Sequence, residues 1–387
     1  MRTRRTAVPA VAPAPLDVTD VVRAAERGAA YADKAGRLAP EVVSELVRAG
    51  FSRHFVPSVY GGSSGSFASL VAAVEEVGAS CASAAWCGML FAAHGRLAAY
   101  LPERARLELW GISPDVLIAA GVAAPTQEAE LLADGYLLTG RWPNVSAVEY
   151  ADFVLVSAWV TEPAGRTVRI FLVPARHCAV EKTWDPLGMR GTGSNAVSLD
   201  GVFVPEYHSV TQGRLLSSAP AADGARCHSV PFPLVAALMF AAPVLGAARG
   251  MLDAWAQDIG TARDPEGEAR IERPQTAAAL SRTSAELRAA GLLLTEASLR
   301  ADTGEIEPRV TAEVIRDAVV ATEWCVASSD RLMAAGGSRV LRGGDPVQRR
   351  WRDIRTASAH AMLCFDTAAA GYARAWVPAQ RRVPVAH

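Results

Sequence analysis

The sequence predicts an α+β fold, mainly α: a helical domain, then a small antiparallel β-barrel domain, then a C-terminal four-helix bundle. Three observations predict it. Apolar residues recur at helical spacing over residues 16–114; the period switches to two after Pro114; helical spacing returns from Pro231 onward. With 387 residues, half of them hydrophobic, the chain can bury a large core in two or three layers or domains.

Residues 1–15, MRTRRTAVPAVAPAP, are basic and rich in Pro and Ala, and read as a disordered arm. They hold no apolar run before a cleavage site and make a poor secretory signal. In LAPEVVSELVRAGF the apolar residues share one helical face, and Pro40 suits a first turn. Residues 66–101 form a long Ala-rich pattern, expected as two helices broken near Gly78–Ala82. ERARLELWG adds a helix stopped by Gly111.

Residues 115–228 carry the β domain. VLIAAGVA, AELLADGYLLTGRW, ADFVLVSAWV, TVRIFLVPA and AVSLDGVFV alternate, contain β-branched residues, and are separated by turns such as Asp134–Gly135. Short strands in succession suggest a barrel or sandwich. From 229 to 387 four long helices are expected, at about 231–260, 274–302, 308–335 and 346–375, with GGSRVLRGGDP between the last two. SSAPAADGAR (217–226) reads as a loop. The apolar run 234–248 is short for a membrane span, holds Pro243 and precedes Arg249, so it reads as a buried core helix.

A net charge of -1 leaves no polyanion footprint, which argues against nucleic-acid binding. The six cysteines, at 81, 87, 178, 227, 325 and 364, show no CxxC spacing. They read as reduced thiols of a cytoplasmic protein, with no zinc site and no disulfide framework. The chain has no P-loop, no HExxH, no GxSxG, and no GxGxxG between a strand and a helix, so those chemistries lack their signatures.

Four places remain as candidate sites. In GRWPNVSA (140–147), Trp142 and Ser146 either wall and bond a planar cofactor or are a core Trp and a capping Ser. In RGTGS (190–194), two glycines permit close backbone approach and Thr192 and Ser194 offer hydroxyls; the same pattern also fits an ordinary turn. AAGGSRVLRGGDP places Gly336 and Gly337 beside Arg339 and Arg342, either hugging a phosphate or ending a helix. His360 lies among small residues in RWRDIRTASAHAMLCF, and is either a ligand-facing group or a core histidine. His94, in MLFAAHGRLAAY, poses the same choice.

Taken together, these pieces resemble the acyl-CoA dehydrogenase superfamily over about residues 20–376. The resemblance rests on four stretches in order: LAPEVVSELVRAGF with VPSVYGG, GRWPNVSAVEYADF, MRGTGSNAVSLDGVFVP, and AAGGSRVLRGGDPVQRRWRDI. Its dehydrogenases need a carboxylate to remove an acyl α-proton. One position for that base, eight residues after the RD pair, is Ala361 here; the other falls in 228–250, which contains no Asp or Glu. His360 instead resembles the histidine of the two-component group D flavin-dependent monooxygenases, which include phenol and steroid-ring hydroxylases, thiophene-sulfur oxygenases and amino-sugar N-oxygenases. Their Trp…Ser segment matches Trp142 and Ser146; the aromatic hydroxylases have Ser-Gly where this chain has Ser146–Ala147.

The resemblance implies an oxygenase component that takes reduced flavin from a separate NAD(P)H:flavin reductase. A flavin C4a-hydroperoxide would transfer oxygen to carbon, nitrogen or sulfur of a small aromatic or natural-product substrate. It assigns His360 and Ser146 to catalysis. It assigns Trp142, Val145, Ser146, Thr192, Arg263, Gly336 and Gly337 to the flavin, and Trp86 and His94 to the substrate pocket. Reduced FAD is the expected cofactor, with FMN as the alternative and O2 as cosubstrate; no metal or membrane is expected. The implied assembly is a homotetramer, a dimer of dimers. An atypical acyl-CoA dehydrogenase or oxidase and a non-catalytic flavin-fold binding protein are the competing expectations.

Overall fold

The computed structural model describes residues 15–123, 125–163, 165–217, 224–263 and 267–377. The arm expected at 1–15, apart from Pro15, and most of the loop at 217–226 lie outside the described residues. Five helices come first: α1 (Thr19–Ala35), α2 (Pro40–Arg48), α3 (Phe67–Ser80), α4 (Ala82–Ala98) and α5 (Glu103–Trp110). Cys81, in extended conformation, separates α3 from α4, within the expected break. Every residue of α4 is buried, so its Ala-rich composition reflects packing on all sides.

Eight strands follow: β1 (Ile118–Gly121), β2 (Glu128–Leu132), β3 (Gly135–Val145), β4 (Phe153–Glu162), β5 (Gly165–Pro174), β6 (Ala179–Glu181), β7 (Asn195–Pro205) and β8 (Ser209–Thr211). They run in the order β6-β7-β3-β2-β4-β5-β8, with β1 also on β4. Most pairings are antiparallel as expected. The exceptions are β1 and β2, which each run parallel to β4. The β3–β7 ladder loses register between Trp142 and Val145, so the chain leaves the sheet irregularly just before Ser146.

Two short helices, α6 (Gln212–Leu216) and α7 (Arg226–Ser229), lead to the bundle: α8 (Phe232–Thr261), α9 (Pro274–Thr303) and α10 (Pro308–Gly336). Pro40, Pro274, Pro308 and Pro346 all stand in first turns, where the missing N–H costs no hydrogen bond. By length and composition α8 could cross a membrane, but 89% of its apolar window is buried inside the protein, which makes it a core helix. The fourth expected helix is two: α11 (Pro346–Ser358) and α12 (Phe365–Trp376), with a 3-10 turn at Ala361–Leu363 between them. His360 therefore sits at a helix break and not on a helix face.

The three parts lock together through named contacts. Asp302 of α9 accepts from the Phe67 and Ala68 amides that open α3, at 2.7 and 2.9 Å. The buried Arg96 of α4 donates to the Cys227 and Val230 carbonyls ahead of α8. α3 and α8 touch backbone to backbone: a Cβ at Gly246 would lie 2.4 Å from the Glu75 carbonyl.

Candidate active site

The turn after β3 and the loop before β7 meet through side-chain hydroxyls. Ser146 Oγ lies 2.7 Å from Ser194 Oγ, which lies 2.7 Å from Thr192 Oγ1. Thr192 Oγ1 donates to the Met189 carbonyl at 2.9 Å. The Ala147 amide donates to the Thr192 carbonyl at 2.8 Å, tying the two segments by their backbones as well. Asn144, Ala147 and Met189 all hold positive φ, at 58°, 59° and 55°. Non-glycine residues adopt that conformation at a cost, so surrounding contacts must hold them there. Ala147 stands where the resemblance leads one to expect Gly, a residue that adopts this backbone conformation without strain.

Those contacts come from the helices. The loop 187–190 is clamped on α11: the Gly188 amide donates to Thr356 Oγ1 at 2.9 Å, the Met189 amide to Asp353 Oδ1 at 2.5 Å, and Arg352 to the Leu187 carbonyl at 2.9 Å. A Cβ at Gly188 would sit 2.2 Å from the Arg352 carbonyl, so only Gly allows the approach. Arg352 also pairs with Asp33 of α1 at 2.7 Å, and Arg190 donates to the Asp33 carbonyl at 3.0 Å. Burial raises the Asp353 carboxyl to about 6, against the lowering effect of the Met189 amide. The segment leading into RGTGS is thus bonded directly to RWRDIRTASAH, through Leu187, Gly188 and Met189.

Trp86 of α4 links this hydroxyl cluster to His360. Its indole N–H donates to Ser146 Oγ at 3.3 Å. Its ring meets His360 edge-on at 5.7 Å and Phe240 of α8 at 5.0 Å between centroids. Phe240 and His360 stack at 3.9 Å with 29° between planes. Nδ1 of His360 accepts from the Met362 amide at 3.3 Å and so caps the turn of the helix break. A nitrogen that accepts carries no proton, so the neutral ring keeps its proton on Nε2. Burial lowers the His360 pKa to about 4.

Ser146, Thr192, Trp86 and His360 are therefore brought together. Trp142 and Val145 belong to the β-domain core, and the Trp142 indole donates to the Ser157 carbonyl at 2.8 Å. Their side chains pack beneath the site. His94, buried on α4, is bonded through Nδ1 to the Ile118 carbonyl of β1 at 2.7 Å, and burial lowers its pKa to about 4. It lies about two helical turns from Trp86. Arg263, Gly336 and Gly337 gather elsewhere, at the far ends of α8 and α10. Arg263 donates to the Gly267 carbonyl at 3.0 Å, and Arg339 pairs with Asp258 at 2.5 Å. About 27 Å of helix separates Asp258 from Phe240.

Phe240, Ser194 in its bonded role, and Arg270 are the site neighbours that motif reasoning did not single out. Phe240 had a signal, as the aromatic residue in the small apolar run LVAALMFAAP. Arg270 had none beyond its charge; its Nη2 would be 3.8 Å from a Cβ at Gly337. The residue set fits a flavin. Buried hydroxyls end at Ser146, aromatic rings lie beside it, and a second cluster offers arginines for phosphate.

The matching protein families agree with this arrangement. Residues 18–104 match the family described as "Acyl-CoA dehydrogenase, N-terminal domain", and residues 238–365 match "Acyl-CoA dehydrogenase, C-terminal domain". The FADH(2)-dependent resorcinol hydroxylase oxygenase component of Rhizobium sp. (strain MTP-10005) is 32% identical, with 90% of this chain and 89% of that protein covered. The chain belongs to the flavin-dependent monooxygenase branch of the acyl-CoA dehydrogenase family. The flavin-dependent monooxygenase oxygenase subunit HsaA of Rhodococcus jostii (strain RHA1) is 27% identical over 84% of this chain and 88% of that one. The solved structure of XiaF from Streptomyces sp., in complex with FADH2 and glycerol, shares the fold with a TM-score of 0.85 at 24% identity, covering 93% of this chain and 95% of that one.

This monooxygenase is thus an oxidoreductase, the oxygenase component of a two-component system that uses reduced flavin and O2. Its partners are a flavin reductase and a small-molecule substrate. Among the described residues Asp353 is the most deeply buried carboxylate, and its Oδ1 is committed to the Met189 amide. Position 361 is Ala and 228–250 contains no Asp or Glu of its own; Glu75, which reaches Arg249 of that segment at 2.5 Å, is held in an ion pair with it.

Proposed function

We propose that this monooxygenase hydroxylates a planar aromatic substrate with reduced FAD, in the space bounded by Ser146, Trp86, Phe240 and His360. The observation that carries this is the contact chain from Ser146 through Trp86 to His360, which puts a hydroxyl for the cofactor and an imidazole for the substrate within one ring of each other. Bound reduced flavin supplies two electrons and activates O2. The chain's residues position, shield and donate.

Ser146 would hold the flavin ring edge near N5, and Thr192 would support Ser146 through Ser194. Trp142 and Val145 hold the β3 end rigid beneath the ring. Trp86 and Phe240 present ring faces and edges to an aromatic substrate and keep water out, which limits loss of oxygen as hydrogen peroxide. With Nδ1 occupied by the Met362 amide, His360 acts as an Nε2–H donor toward the oxygen being transferred or the substrate oxygen, and not as a base. His94 shapes the β1 side of the pocket. Because about 27 Å separates the Arg263, Gly336 and Gly337 cluster from Phe240, that cluster serves a flavin held by a neighbouring copy, in a homotetramer. The name of the resorcinol hydroxylase relative supports FAD over FMN. The cysteines, free among the described residues, support a cytoplasmic setting.

The test mixes the protein with chemically reduced FAD, O2 and a panel of phenols and indoles, and follows product and hydrogen peroxide together. Wild type yields hydroxylated product. Ser146→Ala and His360→Ala shift the balance to peroxide by about tenfold or more, the effect of one lost oriented hydrogen bond in a dry site. Undiminished product yield in both variants overturns the residue roles. Bleaching of bound oxidised flavin by an acyl-CoA, with no reductase present, restores the dehydrogenase alternative.

A further inference from the structure

The hydroxyl chain behind Ser146 has a direction. The Met189 carbonyl can only accept, so Thr192, 2.9 Å away, gives it its one hydroxyl proton. Thr192 then accepts from Ser194, and Ser194, its proton engaged, accepts from Ser146, each at 2.7 Å. Trp86 N–H donates to Ser146 at 3.3 Å. Running the chain the other way would face the Thr192 and Met189 oxygens at 2.9 Å with no proton between them. Ser146, Thr192 and Ser194 are all buried, so bulk water does not exchange with these bonds. Ser146 Oγ has given its proton, has one lone pair filled by Trp86, and keeps one lone pair open. A further partner must be a donor.

We infer that Ser194 and Thr192 are positioning residues that fix Ser146 as an acceptor, and that this one-way chain sets the site's preference for reduced over oxidised flavin. The inference rests on the proposal that Ser146 meets flavin N5. Reduced flavin carries a hydrogen on N5 and completes the chain. Oxidised flavin presents a lone pair there and sets two acceptors against each other in a buried site, where an unmatched polar contact is expensive.

The experiment measures dissociation constants for oxidised FAD and for anaerobically dithionite-reduced FAD, together with the midpoint potential of the bound flavin. Wild type binds the reduced form at least about tenfold more tightly, the effect expected of one mismatched buried hydrogen bond. Ser194→Ala removes the acceptor for the Ser146 proton, which turns toward N5. The affinity ratio then falls toward one, mainly through tighter oxidised-flavin binding, and the potential falls relative to wild type, toward that of free flavin. Thr192→Val, which frees Ser194 to donate to Ser146, lowers the ratio less if Ser146 must reorient, and serves if Ser194→Ala does not fold; Thr192→Ser keeps the wild-type ratio. A merely structural role would weaken both redox forms alike. A wild-type ratio in Ser194→Ala and Thr192→Val, with a changed ratio in Ser146→Ala, overturns the relay alone. An unchanged ratio in Ser146→Ala as well overturns the placement of Ser146 at N5, and the relay with it.

Discussion

Along the β-domain wall of the site, the bonds run atom to atom: Ser146 to Ser194, Ser194 to Thr192, Thr192 to Met189, and the Met189 amide to Asp353. Along the helical wall, Trp86, Phe240 and His360 meet through ring faces and edges, and one long hydrogen bond from Met362 orients the imidazole. The first wall also holds three non-glycine residues at positive φ, Asn144, Ala147 and Met189. Directional bonds and held strain define a geometry to a fraction of an ångström; stacked rings slide at small cost. The difference suits a fixed cofactor facing a substrate that must enter and leave.

The comparison breaks most decisively at Asp353. Asp353→Ala leaves the Met189 amide buried without an acceptor and releases the clamp on the loop 187–190. A loss of about 2–3 kcal/mol in denaturant unfolding is expected, with a parallel loss of flavin affinity. Asp353→Asn keeps an acceptor and should recover most of both; equal losses in the two variants would show that charge, not the clamp, is what matters.

On the helical wall, His360 gives the next largest effect. Its burial-lowered pKa of about 4 keeps the imidazole neutral as pH falls from 8 to about 5, so product yield per reduced flavin should stay level over that range. Linkage gives the matching stability term. An unfolded histidine takes its proton near 6.5, so the neutral buried ring loses stabilisation as pH falls from about 6.5 toward about 4. A yield that drops around pH 6.5 would place His360 in contact with a charge that restores its ordinary titration.

Smaller effects sharpen the contrast. Phe240→Ala removes a half-buried ring and should cost about 2 kcal/mol or less, while admitting bulkier aromatics in a competition assay. If the substrate range stays the same, Phe240 does not bound the pocket. Ala147→Gly relieves a left-handed alanine and should stabilise the native backbone, offset by the greater freedom of the unfolded chain; a net change within about 1 kcal/mol is expected in thermal melts. A destabilisation well above that would mean the Ala147 methyl group packs where a neighbour depends on it.

Much of the fold was legible because its signals are local. The α3–α4 break shows in the small residues around Cys81, and helix starts show in Pro40, Pro274, Pro308 and Pro346. The α11–α12 break was not legible. The residues around it are reasonable helix formers, and the break accompanies a ring stacked on Phe240, about 120 residues earlier in the chain. The parallel course of β1 and β2 beside β4 was hidden for the same reason: alternation marks a strand but not its partner. At the site, residue types pointed to Ser146, Thr192 and His360. The direction of the hydroxyl chain, and the imidazole tautomer, needed coordinates.

The contact between Met189 and Asp353 spans 164 residues of chain, and that between Asp33 and Arg352 spans 319. Neither can form until α11 has left the ribosome. The β domain can fold earlier, and Arg190 can then reach the Asp33 carbonyl, but the 187–190 loop still lacks its anchors on α11. Cofactor capture is therefore tied to completion of synthesis, and a chain stalled before α11 would carry strands and bundle helices without a working flavin seat.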